Sequence, residues 1–150
     1  NQDNETGWYV WAQADEALIA FTAWMFEIRK THPQLRGTHW LRGATTASGA
    51  RDVLWLSRLG QEMTAQQWEE SGRYVFGLLL GARAPDQTDL LMLLNAEASD
   101  WSMELPDGPW HVIVDTGQRD GRPGDGDVVA TRRVLKARSL TLLERSRTGR

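Results

Sequence analysis

The sequence predicts a mainly β fold, an antiparallel β-sandwich that follows one irregular loop and one long helix. Three observations carry this. A helical period runs from about residue 15 to Lys30, stops at His32-Pro33 and does not return at that length. Beyond Gly43 the apolar residues come in short runs bounded by Gly, Pro, Asp and Ser, the punctuation of strands and turns. Seven such runs with turn signals between them fit two stacked antiparallel sheets.

The opening NQDNETGWYVW mixes carboxamides, carboxylates and large aromatics without either period, and reads as a loop from within a longer structure. Asp15 is placed to cap the helix, Glu16 lies at its positive end, and Arg29 and Lys30 lie at its negative end. At 100° per residue, Leu18, Phe21, Trp24, Met25 and Ile28 share one face, while Ile19, Ala23 and Phe26 form a second patch nearly opposite. A helix apolar on two sides needs cover on two sides, and one small sheet supplies only one. The helix is therefore expected between two bodies, one of them outside this chain.

Residues 53–58 (VLWLSR), 74–80 (YVFGLLL) and 89–94 (DLLMLL) have the length and punctuation of strands buried on both faces. Residues 101–105 (WSMEL) and 110–114 (WHVIV) alternate, as strands with one wetter face do, and the Leu105-Pro106-Asp107-Gly108-Pro109-Trp110 link predicts a hairpin between them. A last pair of strands is expected at about 128–135 and 138–144. A short helix interrupts the strands: Thr64 and Gln67 spell a capping box, with Met63 placed to staple Trp68, and the helix is expected to end near Gly72.

Composition narrows the function classes. There is no cysteine, which removes disulfides, thiol nucleophiles and thiolate metal sites, and makes a cytoplasmic setting the default. No apolar stretch reaches the roughly 18 residues of a membrane span. The polar start has no signal-peptide pattern, so no membrane association is expected. A net charge of −3 argues against a nucleic-acid partner. Arg132, Arg133, Lys136, Arg138, Arg145, Arg147 and Arg150 cluster late in the chain and read as a solvated strand edge and tail.

Chemical motifs are few. His32, His39 and His111 lie in no nucleophile-elbow or triad spacing and read as structural. The acidic, glycine-rich stretch 115–127 misses the order of residues that wraps calcium and contains two arginines, so it reads as a strand-connecting loop with no metal. Neither a phosphate loop nor a dinucleotide fingerprint is present, and no cofactor is expected. Among the eight tryptophans, Trp24, Trp55, Trp68 and Trp110 fall at packing positions, leaving Trp8, Trp11, Trp40 and Trp101 as candidate exposed platforms for a sugar ring.

The runs QDNETGWYVW, ALIAFTAWMFEIRKTHPQLR, DVLWLSRLGQEMTAQQW, LLMLLNA and ARSLTLL together resemble the C-terminal part of bacterial glycogen debranching enzymes of the isoamylase type, in the α-amylase superfamily. The most specific pieces are Gln2-Asp3-Asn4-Glu5 with Trp8 and Trp11, and Trp55 with Glu62-Met63-Thr64 and Trp68. The chain departs from the family near Leu59-Gly60, where an acidic turn is common, and in the glycine-rich segment after Asp115.

The resemblance implies a division near residue 40. Residues 1–40 would be the end of a catalytic (β/α)8 barrel, its last loop and final helix, and residues 41–150 a C-terminal β-sandwich. Helix 16–30 would have the barrel as its partner. The implied activity is hydrolysis of α-1,6-glucosidic branch linkages in glycogen or limit dextrin, with the α-glucan bound through the barrel. The carboxylates of that reaction would lie on earlier barrel strands, so no catalytic residue is expected here. Asp3 and Glu5 lack a barrel to hold them at the spacing a retaining mechanism needs. Gln2, Asp3 and Asn4 match the family's loop after the last barrel strand and are the expected substrate-binding residues, with fixing the loop as the alternative role. Two other readings are a free-standing, non-catalytic α-glucan-binding module and a partner-binding sandwich.

Overall fold

The computed structural model describes residues 2–72, 74–124, 128–129 and 131–146. Its helix α1 spans Glu16–Thr31, with the Leu18 amide donating to Asp15 Oδ1 at 3.0 Å and the chain turning out at His32. A second helix, α2, is a short one at Ala65–Glu69. Its capping box is formed in both directions, Thr64 with Gln67, and it ends earlier than Gly72. Eight strands follow the expected runs: β1 (Leu54–Leu56), β2 (Val75–Leu80), β3 (Thr88–Asn95), β4 (Trp101–Glu104), β5 (Trp110–Asp115), β6 (Val128–Val129), β7 (Arg132–Leu135) and β8 (Ser139–Ser146).

All pairings are antiparallel. The six-stranded sheet has the order β1-β2-β3-β8-β5-β6, and β4 and β7 form a sheet of their own. Leu56, Val75, Leu91, Leu93, Val112 and Leu143 line one face of the large sheet and meet Met103 and Leu135 of the small one, with Trp110 and Leu105 between them. Gly77 on β2 makes this approach possible, since a Cβ there would sit 3.0 Å from the Met103 Cε methyl and 3.3 Å from both Leu56 and Leu93. On the other face, Met92, Ile113, Val114, Leu140 and Leu142 pack on Phe21, Trp24, Met25 and Ile28 of α1. The layers are therefore helix, large sheet, small sheet, and strands β3 and β8 are covered on both sides.

One irregularity assigns residues to layers. The register shifts between Val112 and Val114, so that Val112 faces Leu143 while Val114 faces Leu142. Without that bulge, Val112 and Val114 would point the same way. With it, Val112 joins the inter-sheet core and Val114 joins the helix side.

Three expectations change. Strands β4 and β5 do not form a hairpin but belong to different sheets. Met103, Leu105 and Trp110 all point into the inter-sheet core, so the Pro-Asp-Gly-Pro link carries the chain from one layer to the other, held by the Trp110 indole donating to Pro106 O at 2.7 Å. The run 128–135 likewise splits, β6 joining β5 and β7 joining β4, so it does not pair with β8. Strand β1 is an edge, buried at Leu56 but open at Trp55.

The basic cluster is not simply a solvated edge. Arg145 pairs with the buried Asp89 at 2.6 Å and lies 4.4 Å over the Trp110 ring, and Arg133 pairs with the buried Asp115 at 2.7 Å. Arg132 and Lys136 make exposed pairs with Glu104 and Asp100. Arg147 and Arg150 lie outside the described residues. At the far end of β3, the buried Asn95 side-chain amide donates to the carbonyls of Ser99 (3.0 Å), Leu135 (3.3 Å) and Lys136 (2.9 Å), tying the two sheets together.

Hydrogen bonds from Lys136 and the Ala137 amide hold the Asp100 carboxyl below its ordinary value of 3.8, and Asp100 in turn holds Lys136 above 10.5. A lowered carboxylate pKa means this contact stabilises the fold fully above the ordinary value and is lost as pH falls through the lower, folded one. The raised lysine value works in the opposite sense: its contribution is complete below 10.5 and lost as pH rises through the folded value. Asp100→Asn should lower Tm slightly near neutral pH, with the gap to the parent closing in the acid range below about pH 4, as a thermal-shift series would record. A gap unchanged into that range would contradict the linkage.

Candidate functional site

The three residues singled out by the resemblance fold into one local turn. Asn4 Nδ2 donates to Gln2 Oε1 at 3.0 Å, Asn4 Oδ1 accepts from the Thr6 amide at 3.1 Å, and the Gly7 amide donates to Asn4 O at 2.9 Å. Asp3 Oδ1 accepts the Trp8 indole N–H at 2.5 Å. Gln2 and Asp3 are exposed and Asn4 half-buried. Asp3 is thus occupied in orienting Trp8, while the turn as a whole offers carboxamide groups to solvent.

Beyond the turn the chain carries a belt of uncovered apolar side chains. Trp8, Tyr9, Val10 and Trp11 are exposed, with Tyr9 and Trp11 in edge-to-face contact at 4.8 Å. The outer side of α1 adds Ile19 and Phe26, the latter 65% exposed, and Trp40 stands 89% exposed beyond its end. Leu18, expected on the packed face, lines the groove between α1 and the loop after β5 beside Phe21 and Trp24, but remains exposed there. The inner side is fastened at its C-terminal end: His32 Nε2 meets Glu144 Oε2 at 3.1 Å, and Gln34 Nε2 donates to Thr88 O. Helix α1 therefore presents one side fixed to the sheet and one side without cover. So much exposed apolar surface in one region is the mark of an interaction face.

At the N-terminal half of α1 the loop after β5 closes over the helix. Arg122 lies 4.4 Å over the Trp24 ring, and Gly121, at φ +73°, sits where a Cβ would be 2.5 Å from Phe21. The open groove between this loop and α1 has a volume of about 940 Å³. Asp125 and Asp127 of the acidic stretch lie outside the described residues, and no three His, Asp or Glu side chains cluster as metal ligands among those that are described.

The tryptophans sort differently from the sequence expectation. Trp8, Trp11 and Trp40 are exposed as expected, and Trp110 is fully buried. Trp101 is half-buried against the inter-sheet core with Arg58 5.1 Å over its ring, so it offers no open face. Trp55 and Trp68, at packing positions by periodicity, stand at the surface, 5.4 Å apart and nearly perpendicular. Periodicity marks which face of β1 holds Trp55 but not whether anything covers that face. His39 and His111 are exposed, and His32 serves the helix anchor described above.

No protein-family model matches the chain. Among curated proteins, it is 34% identical over 121 residues to a glycogen debranching enzyme of Serratia proteamaculans, covering 81% of this chain and 16% of that protein. It is 37% identical over 111 residues to one of Pectobacterium carotovorum and 34% identical over 111 residues to one of Dickeya chrysanthemi, covering 74% of this chain and 15% of each relative. The chain is homologous to a segment of the glycogen debranching enzymes. It spans about 15–16% of the length of these relatives.

Among the described residues, the chain carries an uncovered apolar surface on the loop and helix that precede the strands, away from the side by which α1 holds the sheet. The two sides of α1 should differ sharply in a mutational test on the chain itself. Ile28→Ala should cost about 2 kcal/mol or more in urea unfolding, because Ile28 is buried against Val114 and Leu142. Phe26→Ala should stay within about 0.5 kcal/mol of the parent. Equal losses at both positions would contradict the observed seating of the helix.

Proposed function

We propose that this chain is the C-terminal portion of a glycogen debranching enzyme that hydrolyses α-1,6-glucosidic branch linkages in glycogen or limit dextrin. Residues 1–40 are then the final loop and helix of its (β/α)8 barrel, and residues 41–150 are the β-sandwich attached to it. The observation that carries this reading is the second side of α1. A helix seated on the sheet by Phe21, Trp24, Met25 and Ile28 still leaves Ile19 and Phe26 in water. Each large apolar side chain gains roughly 1.5–3 kcal/mol on full burial, so a body packed on that side stabilises both. Similarity to a small fraction of much longer debranching enzymes supports this reading, since those relatives have ample further chain from which such a body could come.

In the proposed enzyme the chemistry belongs to the barrel. Retaining glycoside hydrolysis needs two carboxyl groups about 5–5.5 Å apart, one attacking the anomeric carbon and the other protonating the leaving oxygen. Asp3 is engaged by the Trp8 indole and is not offered as either. The turn of Gln2, Asp3 and Asn4 would lie at the active-site face, with its carboxamides toward the glucan hydroxyls. The α-glucan and the barrel are the proposed partners, and the cytoplasm the proposed setting.

A second reading, a free-standing α-glucan-binding module, draws on the exposed indoles of Trp8, Trp11 and Trp40. Incubating the chain alone with glycogen limit dextrin should release no reducing ends above background, whereas the protein joined to its barrel should release linear maltooligosaccharides. Release by the chain alone, abolished in Asp3→Asn, would overturn the assignment of catalysis to the barrel. An inert joined protein would leave the binding-module reading standing.

A further inference from the structure

Two features meet at the β1 edge of the large sheet, on the face that α1 covers farther in. Trp55 projects from edge strand β1, and Trp68 from α2, 5.4 Å away with the ring planes at 82°. They are 38% and 55% exposed, so burial does not account for them. Yet their backbones are fixed. The Met63 amide donates to Trp55 O at 2.9 Å, the Thr64 and Gln67 capping box sets the start of α2, and Phe76 backs Trp55 at 6.0 Å. Beside the indoles, Arg51 Nη1 donates to Glu62 Oε1 at 2.8 Å while Arg51 Nε donates to Gly43 O at 3.1 Å, which fixes the plane of the guanidinium. Together with Arg42 these groups line a hollow of about 240 Å³.

From this corner we infer a binding site for one ring of a neutral α-glucan chain, held against Trp55 and Trp68 with its hydroxyls toward Arg51 and Glu62; the α-glucan class rests on the debranching reading. The chemistry selects the ligand. Perpendicular indoles could cage a quaternary ammonium, but two arginines against one glutamate make the lining net positive. An anion gains little, because Glu62 already meets Arg51 and the Asp52 carboxylate, which accepts the Arg42 amide at 3.0 Å, stands beside Arg42. A neutral polyol uses everything present: an indole face for its C–H face, guanidinium donors and carboxylate acceptors for its hydroxyls. The size agrees, since the hollow lies below the roughly 300–1,000 Å³ of pockets that engulf a drug-sized ligand, and so takes one unit of a strand that runs on outside. In a branched polymer substrate, such a second contact holds further branches near the active site by raising their effective concentration.

The test is isothermal titration of the full chain with maltoheptaose, alongside native gels containing glycogen. The parent chain should bind. Trp68→Ala should weaken binding about tenfold or more, the loss of one stacked aromatic face. Glu62→Gln, which keeps the side-chain shape, should weaken it several-fold. Trp40→Ala should leave it unchanged, and all three should keep the parent Tm. Absence of binding by the parent, equal affinity in Trp68→Ala, or loss in Trp40→Ala alone would overturn the site. Equal binding of cellohexaose would overturn the α-glucan assignment. Unaltered binding in Trp68→Ala with weakened association to the barrel would assign the corner to a protein contact and overturn the glycan site. Hydrolysis by the joined protein is read separately, so loss of either proposal is recognised without the other.

Discussion

Strands β3 and β8, paired through eight residues at the centre of the large sheet, are apolar on both faces, and both faces must leave water. This constraint organises the molecule. One face is covered by β4 and β7 through Met103 and Leu135, the other by α1 through Phe21, Trp24, Met25 and Ile28. Gly77 allows the small sheet to approach, and the bulge in β5 divides Val112 from Val114 between the layers. Helix α1 is therefore part of the fold of the strands, whichever body covers its other side.

Charged groups fix how the layers meet. Asp89 and Asp115 lie at opposite ends of the large sheet's central region, each buried and each met by an arginine, Arg145 and Arg133. Asp89 also accepts the Ala82 amide and Asp115 the Gly117 amide, so each carboxylate orders a turn as well as a pair. Burying such a pair gains little over apolar packing, but leaving one member alone costs about 3–5 kcal/mol, so the arrangement disfavours other registers. Asn95 adds a neutral equivalent, satisfied by three carbonyls where β3 meets the turn into β8.

Local signals were legible in the sequence. Asp15, Thr64 and Gln67 mark their helix starts because a cap is a contact within four residues, and the apolar runs mark strands because burial alternates along a few residues. Long-range matters were not. The Pro-Asp-Gly-Pro turn has the composition of a hairpin, and only the inward direction of Leu105 and Trp110 makes it a crossing between layers. Arg133 and Arg145 look like surface charge until their partners, 18 and 56 residues distant, are placed. Of the candidate site, the two-sided character of α1 was readable from its period, though Leu18 stays exposed in the groove beside Phe21 and Trp24. Gln2, Asp3 and Asn4 came from resemblance alone, and the Trp55–Trp68 corner escaped because an edge strand's periodicity carries no information about what covers it.

In the proposed enzyme the chain is one part of a larger hydrolase: strands that hold a helix by one side, and a helix whose other side and leading loop would face the rest of the enzyme. The most direct measurement is the sequence of the coding DNA immediately upstream of Asn1. The account predicts an open frame that continues upstream through a (β/α)8 barrel carrying a pair of catalytic carboxylates. An initiation codon close to Asn1 would contradict it, because no barrel could then precede the strands in the same polypeptide.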